Sequence, residues 1–154
     1  MTLDTHDTLL RLVHRSARLL DDQDHDAFLA LFSSDAQYSI TSKAPELPEK
    51  MIWMRRSRDE LAERLEAMSS HEWEIAGIEQ TRIVSVDTIS IEADAALTST
   101  GFSLFHTDAS GRSELYVVGR YEDKWRASDD GWLLEEREVA LRTRLLKLLS
   151  PLPI

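Results

Sequence analysis

The residues of this sequence most able to bind a metal or to transfer a proton are its five histidines. They are His6, His14, His25, His71 and His106. An iron site of two histidines and one carboxylate needs three ligands that converge on one face, but no two of these histidines form an H-x-x-x-H or H-x-H pair. The chain also has no cysteine to bind zinc or an iron–sulfur cluster. The sequence therefore predicts no metal or cofactor in this chain.

Proton-transfer chemistry would need a polar pocket in which burial tunes the pKa of a side chain. Strand alternation and position favour five lining residues: Tyr38, His71, His106, Tyr116 and Glu136. Each also has an ordinary explanation, since buried tyrosines commonly pack in a core while the hydroxyl bonds a carbonyl or solvent. We favour the ordinary explanation and keep a catalytic pocket as the alternative.

The acidic run Asp21-Asp22-Gln23-Asp24 contains the oxygen ligands that a hard cation prefers. It lacks the glycine turn and the final glutamate of a calcium-binding loop. A solvated connection between two helices, in which Asp24 caps the second helix, accounts for the run better.

The balance of charge limits the partners of the chain. Its 154 residues include 18 basic and 28 acidic side chains, for a formal net charge of −10. A phosphate backbone attracts clustered lysine and arginine, and the comparable runs here are the short stretches at 55–58 and 142–144. We therefore predict binding to neither nucleic acid nor an anionic membrane surface. The polar, acidic start and the lack of a long apolar run predict a cytoplasmic protein.

The elements that must position these residues are helices first and strands afterwards. Apolar residues recur at a helical period before residue 21, around 25–32 and after Ser57, where Ser57-Arg58-Asp59-Glu60 fits a capping box. Ser33-Ser34-Asp35 predicts a turn, 36–40 a short strand, and 41–51, which holds two prolines, a surface loop. Four long strands follow at 81–91, 95–106, 114–126 and 132–142. Their short connections require antiparallel neighbours, so we predict an α+β fold in one domain spanning residues 1–154.

Two features of the second half predict a subunit interface. Charge occurs on both faces near 122–126, where a sheet covering the core of a monomer would alternate apolar and polar residues. Either a solvated strand end or an interface at which Arg120 and Arg137 meet carboxylates explains this pattern. The end of the chain is strongly apolar and must dock on its own domain or on a neighbour. The candidate interface residues there are Leu148, Leu149, Leu152 and Ile154.

Several stretches resemble the β subunits of aromatic-ring-hydroxylating dioxygenases. They are ARLLDD at 17–22, FLALF at 28–32, DAQY at 35–38, GRYED at 119–123, DGW at 130–132 and EREV at 136–139. The early helix pair and the Asp-Gly-Trp signal also occur in cone-shaped α+β domains that resemble nuclear transport factor 2 and scytalone dehydratase. GRYED together with the apolar end narrows the resemblance to the dioxygenase subunits, and 41–80 is the part least like that family.

The resemblance implies a strongly curved antiparallel sheet packed around the N-terminal helices. It implies a non-catalytic structural subunit that supports a larger catalytic subunit, which adds both atoms of O₂ to an aromatic ring. It also implies a Rieske iron–sulfur cluster and a mononuclear iron in that partner, and a homotrimer of this chain beneath a trimer of the partner. Two alternatives stay open: a free-standing dehydratase, isomerase or cyclase with a buried polar pocket, and a small-ligand-binding domain without chemistry.

Overall fold

The computed structural model describes residues 2–69, 77–145 and 154. In this part of the chain two helices and two strands are followed by a third helix and four further strands. The helices are α1 (Thr2–Asp21), α2 (His25–Leu29) and α3 (Arg58–Ser69). The strands are β1 (Phe32–Ser42), β2 (Met51–Ser57), β3 (Glu79–Glu92), β4 (Ala95–Thr107), β5 (Ser113–Ser128) and β6 (Gly131–Leu141). The predicted α+β class is confirmed.

Two helices begin where their capping residues predict. The side chain of Asp24 accepts a hydrogen bond from the amide of Ala27 at 3.2 Å, at the start of α2. At the start of α3, the amide of Glu60 donates to Ser57 Oγ at 3.2 Å, and the amide of Ser57 donates to Glu60 Oε2 at 2.9 Å. These reciprocal bonds satisfy amides that a helix leaves unpaired at its start, so the predicted capping box is confirmed.

The strands form one six-stranded sheet in the order β2-β1-β6-β5-β4-β3. The last four strands pair antiparallel through short connections, as predicted. β1 pairs antiparallel with β2 and parallel with β6. Every pairing contains a shift of register, and such irregularities bend strands and increase their twist. They account for the curvature of the sheet around the helices.

The region around β1 and β2 differs from the sequence prediction. Ser33-Ser34-Asp35, predicted as a turn, lies within β1, where the register with β6 shifts between Phe32 and Gln37. The predicted loop 41–51 is confined to 43–50, and β2 follows it. β2 was missed because it is an edge strand with largely exposed side chains, so it carries no alternation of buried and exposed residues.

The core lies between α1 and the concave face of the sheet. Leu9, Val13 and Leu20 of α1 are buried there, and each such side chain contributes roughly 1.5–3 kcal/mol when fully buried. Phe28 and Phe32 meet edge to face, with ring centroids 5.1 Å apart. Among the described residues, no helix is long and apolar enough to cross a membrane.

Candidate functional site

A fully buried ion pair occupies the concave face of the sheet. Arg137 Nε lies 2.8 Å from Asp123 Oδ1, and Arg137 Nη2 lies 2.8 Å from Asp123 Oδ2, a bidentate arrangement. Arg137 Nη2 also donates to Ser16 Oγ of α1 at 3.0 Å. Burial alone lowers the pKa of Arg137, but the charge and hydrogen bonds of Asp123 outweigh it and raise that pKa overall. The guanidinium therefore remains charged and ties β5 and β6 to α1.

The GRYED segment of β5 builds the surroundings of this pair. Tyr121 stacks on Phe102 with ring centroids 4.3 Å apart, and the guanidinium of Arg137 lies 4.4 Å from the centroid of its ring. A Cβ atom at Gly119 would lie 2.7 Å from the carbonyl oxygen of Ala140 and 3.0 Å from the ring of Phe102. Only glycine fits at this position. Its lack of a side chain lets Phe102, which stacks on Tyr121, pack closely against β5.

A second buried guanidinium joins the end of α1 to β3. Arg82 Nη1 donates to Asp21 Oδ1 at 2.7 Å, and the amide of Arg82 donates to Asp21 Oδ2 at 2.9 Å. The solvated connection predicted for the acidic run is therefore incomplete as an explanation, because Asp21 faces inward while Asp24 caps α2. No convergent group of His, Cys, Asp or Glu able to hold a metal occurs among the described residues.

The predicted pocket residues do not come together as one group. Tyr38 is buried in the core, where its hydroxyl donates to the carbonyl of Ile154 at 2.8 Å and burial raises its pKa. Glu136 faces outward and pairs with Lys124 at 2.7 Å, because the bulge between Lys124/Glu136 and Trp125/Leu134 reverses the alternation. His71 lies outside the described residues.

His106 and Tyr116 are the two predicted pocket residues that meet. Their rings stack with centroids 4.1 Å apart, beside a pocket of about 230 Å³ that Asp108, Arg112 and Glu114 also line. The two carboxylates have other partners in place: Asp108 Oδ1 accepts the amides of Ser110 and Arg112 in the β4–β5 turn, and Glu114 pairs with Arg112.

Hydrogen bonds also set the protonation of His106. Gln80 Oε1 lies 3.5 Å from Arg82 Nη1, which orients the amide nitrogen of Gln80 toward His106 Nε2 at 3.3 Å. Since that nitrogen only donates, His106 Nε2 must accept. Burial and then the charge of Arg82 lower the pKa of His106. The imidazole is therefore held neutral.

The predicted interface residues separate into different environments. Arg120 lies on the outer face of the sheet, paired with Asp87 and Glu122. Arg137, placed at an interface by the sequence, is instead wholly buried against Asp123 of its own chain. Ile154 is buried against its own domain. Leu148, Leu149 and Leu152 lie outside the described residues.

Sequence reasoning missed Asp123, Ser16 and Arg82 as parts of a buried polar network. The signal was present as charge on both faces near 122–126. The structure explains it: Glu122 and Lys124 face outward, whereas Asp123 turns inward to meet Arg137.

The chain is similar to known oxygenase subunits. Its residues 1–138 match the SnoaL-like domain family. It is 30% identical over 163 residues to the β subunit of the methanesulfonate monooxygenase hydroxylase of Methylosulfonomonas methylovora, covering 98% of this chain and 88% of that protein. It is 27% identical over 148 residues to the β subunit of 2-aminobenzenesulfonate 2,3-dioxygenase of an Alcaligenes species, covering 96% of this chain and 97% of that protein.

A solved structure shares the fold. It is a β subunit assigned to an aromatic-ring-hydroxylating dioxygenase of Novosphingobium aromaticivorans, with a TM-score of 0.81 and 20% identity, covering 99% of this chain and 98% of that one. At 20% identity this likeness shows the cone-shaped fold alone. Common descent is shown by the match to the family model and by the 30% identity to the methanesulfonate monooxygenase subunit. The chain belongs to the SnoaL-like domain family and, within it, to the β subunits of multi-subunit oxygenases.

Proposed function

We propose that this chain is the non-catalytic structural subunit of a Rieske-type oxygenase, in which it supports a larger catalytic subunit. The observation that carries the proposal is the Arg137–Asp123 pair on the concave face. Asp123, the one fully buried carboxylate among the described residues, has both oxygens bound by Arg137. A carboxylate whose two oxygens are both bound to a buried guanidinium has neither oxygen placed to approach a substrate proton, so it is unsuited to general base catalysis.

The His106 pocket supports the same conclusion. A general base needs a free acceptor within reach of a substrate proton. The amide of Gln80 faces His106 Nε2, and nearby Arg82 disfavours the imidazolium that proton uptake would create. His106 and Tyr116 therefore act as packing residues where β4 ends and β5 begins.

The oxygenase chemistry belongs to the partner in this proposal. The partner holds the Rieske iron–sulfur cluster and the mononuclear iron, for which this chain offers no cysteine ligand. The complex is cytoplasmic, and three copies of this chain form a ring with cyclic symmetry beneath three catalytic subunits. Both curated relatives named above serve enzymes of organosulfonates by name, so sulfonated carbon compounds are the first substrate class to assay.

The test is co-expression with a Rieske-containing large subunit encoded beside this chain. We expect native mass spectrometry to show a complex of the two chains, iron bound to the large subunit, and oxygen consumption with a sulfonate by the complex. We expect this chain alone to bind no iron and to consume no oxygen with a sulfonate. A failure of the two chains to associate would refute the proposed function.

A pocket enzyme is the competing hypothesis, favoured only by the stacking of His106 on Tyr116 beside a pocket. Two variants of the complex, His106→Ala and Tyr116→Phe, separate the hypotheses. The structural hypothesis expects turnover to persist in each complex that assembles. A loss of turnover of about a hundredfold or more, the scale of a lost general acid or base, with assembly intact would favour the pocket enzyme.

A further inference from the structure

A pocket on the outer face of the sheet concentrates positive charge on an acidic chain. It lies where the β1–β2 loop approaches the end of β6, and its volume is about 660 Å³. Its basic lining residues are Lys43, Lys50, Arg120, Arg142 and Arg144, against one acidic lining residue, Glu138. The whole chain carries 18 basic and 28 acidic side chains, so this cationic pocket is a local reversal of the charge of the protein.

Part of this charge is not neutralised by the surrounding residues. Lys50 pairs with Glu138 at 2.7 Å, and Arg144 pairs with Glu46 at 3.4 Å. Lys43 and Arg142 are exposed and have no acidic partner in the described part of the chain. Two cations of the pocket therefore remain available to an incoming anion.

The hydroxyls beside the pocket are not available to an incoming anion. Ser42 Oγ has no hydrogen-bond partner in the described structure, but it is closed off from solvent, and Ser42 is only 2% exposed. The neighbouring Thr41 donates to Glu138 at 2.7 Å. Recognition of an anion therefore depends on the two free cations, Lys43 and Arg142.

An exposed apolar segment next to the pocket along the chain, called here its apolar rim, favours a protein over a small ion. Leu47, Met51, Ile52 and Trp53 are exposed large apolar side chains, and they follow or flank Lys50 along the loop and β2. β2 is an edge strand, which leaves backbone groups available to a partner. Aromatic and apolar anchors beside charged groups are typical of protein interfaces. A free oxyanion would use the cations but leave this apolar rim exposed.

We propose that the cationic pocket and its apolar rim bind an acidic segment of the large catalytic subunit. The inference rests on the proposed function, which supplies the partner. Glutamate or aspartate side chains of that segment meet Lys43 and Arg142, and apolar residues of the segment cover Trp53. Opposite charges across such a contact steer the encounter and fix its orientation.

The experiment compares the co-expressed wild-type complex with complexes that carry Lys43→Glu and Arg142→Glu together. The matched control is Arg15→Glu with Arg64→Glu, which changes the net charge equally at exposed positions of α1 and α3. A conservative variant, Lys43→Arg with Arg142→Lys, keeps the charge. Circular dichroism checks that each chain folds, and the affinity for the large subunit is measured at low and at high salt.

We expect the pocket reversal to weaken binding at least about tenfold at low salt and to reduce the dependence of affinity on salt. The control and the conservative variant should bind close to wild type. Equal binding by the pocket reversal and the wild type overturns this inference and leaves the proposed function intact. Failure of the wild type to bind the large subunit overturns both. If the reversal instead lowers self-association of this chain alone, a second copy occupies the pocket, and the inference is wrong.

Discussion

The buried ion pair of Arg137 and Asp123 gives the sharpest test of how this interior is stabilised. Asp123→Asn keeps the size of the side chain but removes the negative charge that faces a wholly buried guanidinium. An unpaired buried charge costs about 3–5 kcal/mol, a large share of the roughly 5–15 kcal/mol by which domains are stable. We therefore expect the variant to lose about 3–5 kcal/mol of its free energy of unfolding.

A second variant separates the loss of the pair from the burial of charge. Asp123→Leu combined with Arg137→Met removes both charges, and such exchanges are often neutral or stabilising because desolvation is avoided. We expect this double variant to be more stable than Asp123→Asn. The matched control is Lys124→Met, which breaks the exposed pair with Glu136 and should cost at most about 1 kcal/mol.

The assay is urea unfolding at one fixed protein concentration, because self-association makes stability depend on concentration. Circular dichroism reports the helices and strands, and tryptophan fluorescence reports the core through the buried Trp125. A loss for Asp123→Asn no larger than the roughly 1 kcal/mol of an exposed pair would refute the reasoning. It would mean that solvent reaches the guanidinium, and the concave face would then have to be treated as an open pocket.

Two further predictions concern packing and pH. Gly119→Ala should lower the free energy of unfolding by about 1–3 kcal/mol, because the added Cβ would lie 2.7 Å from the carbonyl oxygen of Ala140. Gly101→Ala, whose Cβ would make only ordinary contacts, should lower it by less. Urea unfolding of the two variants measures both losses. Burial and then the charge of Arg82 lower the pKa of His106 in the folded chain, so the unfolded chain takes up the proton first as the pH falls. The free energy of unfolding should therefore decrease as the pH drops below 6.5, the ordinary value of the imidazole. Urea unfolding from neutral to mildly acidic pH should show a smaller loss of stability for His106→Gln than for wild type. The control His14→Gln, at an exposed position, should lose as much stability as wild type. Equal losses in wild type and His106→Gln would contradict a lowered pKa for His106.

Much of the fold could be predicted because its elements carry local signals. The capping box at Ser57 sets the start of α3, and the capping Asp24 sets the start of α2. The four long strands have a period of two and short connections, which define their order. β2 has neither signal, because its place in the sheet depends on pairing with β1 rather than on its own pattern.

The candidate site could not be predicted because single-residue irregularities decide which side chains face inward. One bulge in β6 directs Glu136 outward and Arg137 inward, which reverses both of the roles predicted for them. Asp123 itself follows the regular alternation of β5, in which Tyr121, Asp123 and Trp125 are all buried, but its partner Arg137 could not be predicted to face it. Period-two alternation determines a face only as far as the next bulge, so the long strands were predictable while their polar residues were misassigned.

The way the concave face is filled determines where this domain can interact with other molecules. A cone-shaped domain can keep polar groups free inside for a ligand, or it can satisfy them against one another. Here Arg137 bonds Asp123 and Ser16, and Arg82 bonds Asp21, so the buried charges hold the helix against the sheet. Lys43 and Arg142, two exposed charges without an acidic partner among the described residues, lie instead in the cationic pocket just beyond the ends of β1 and β6. This distribution of paired and unpaired charge supports our proposal that the chain serves assembly of the oxygenase.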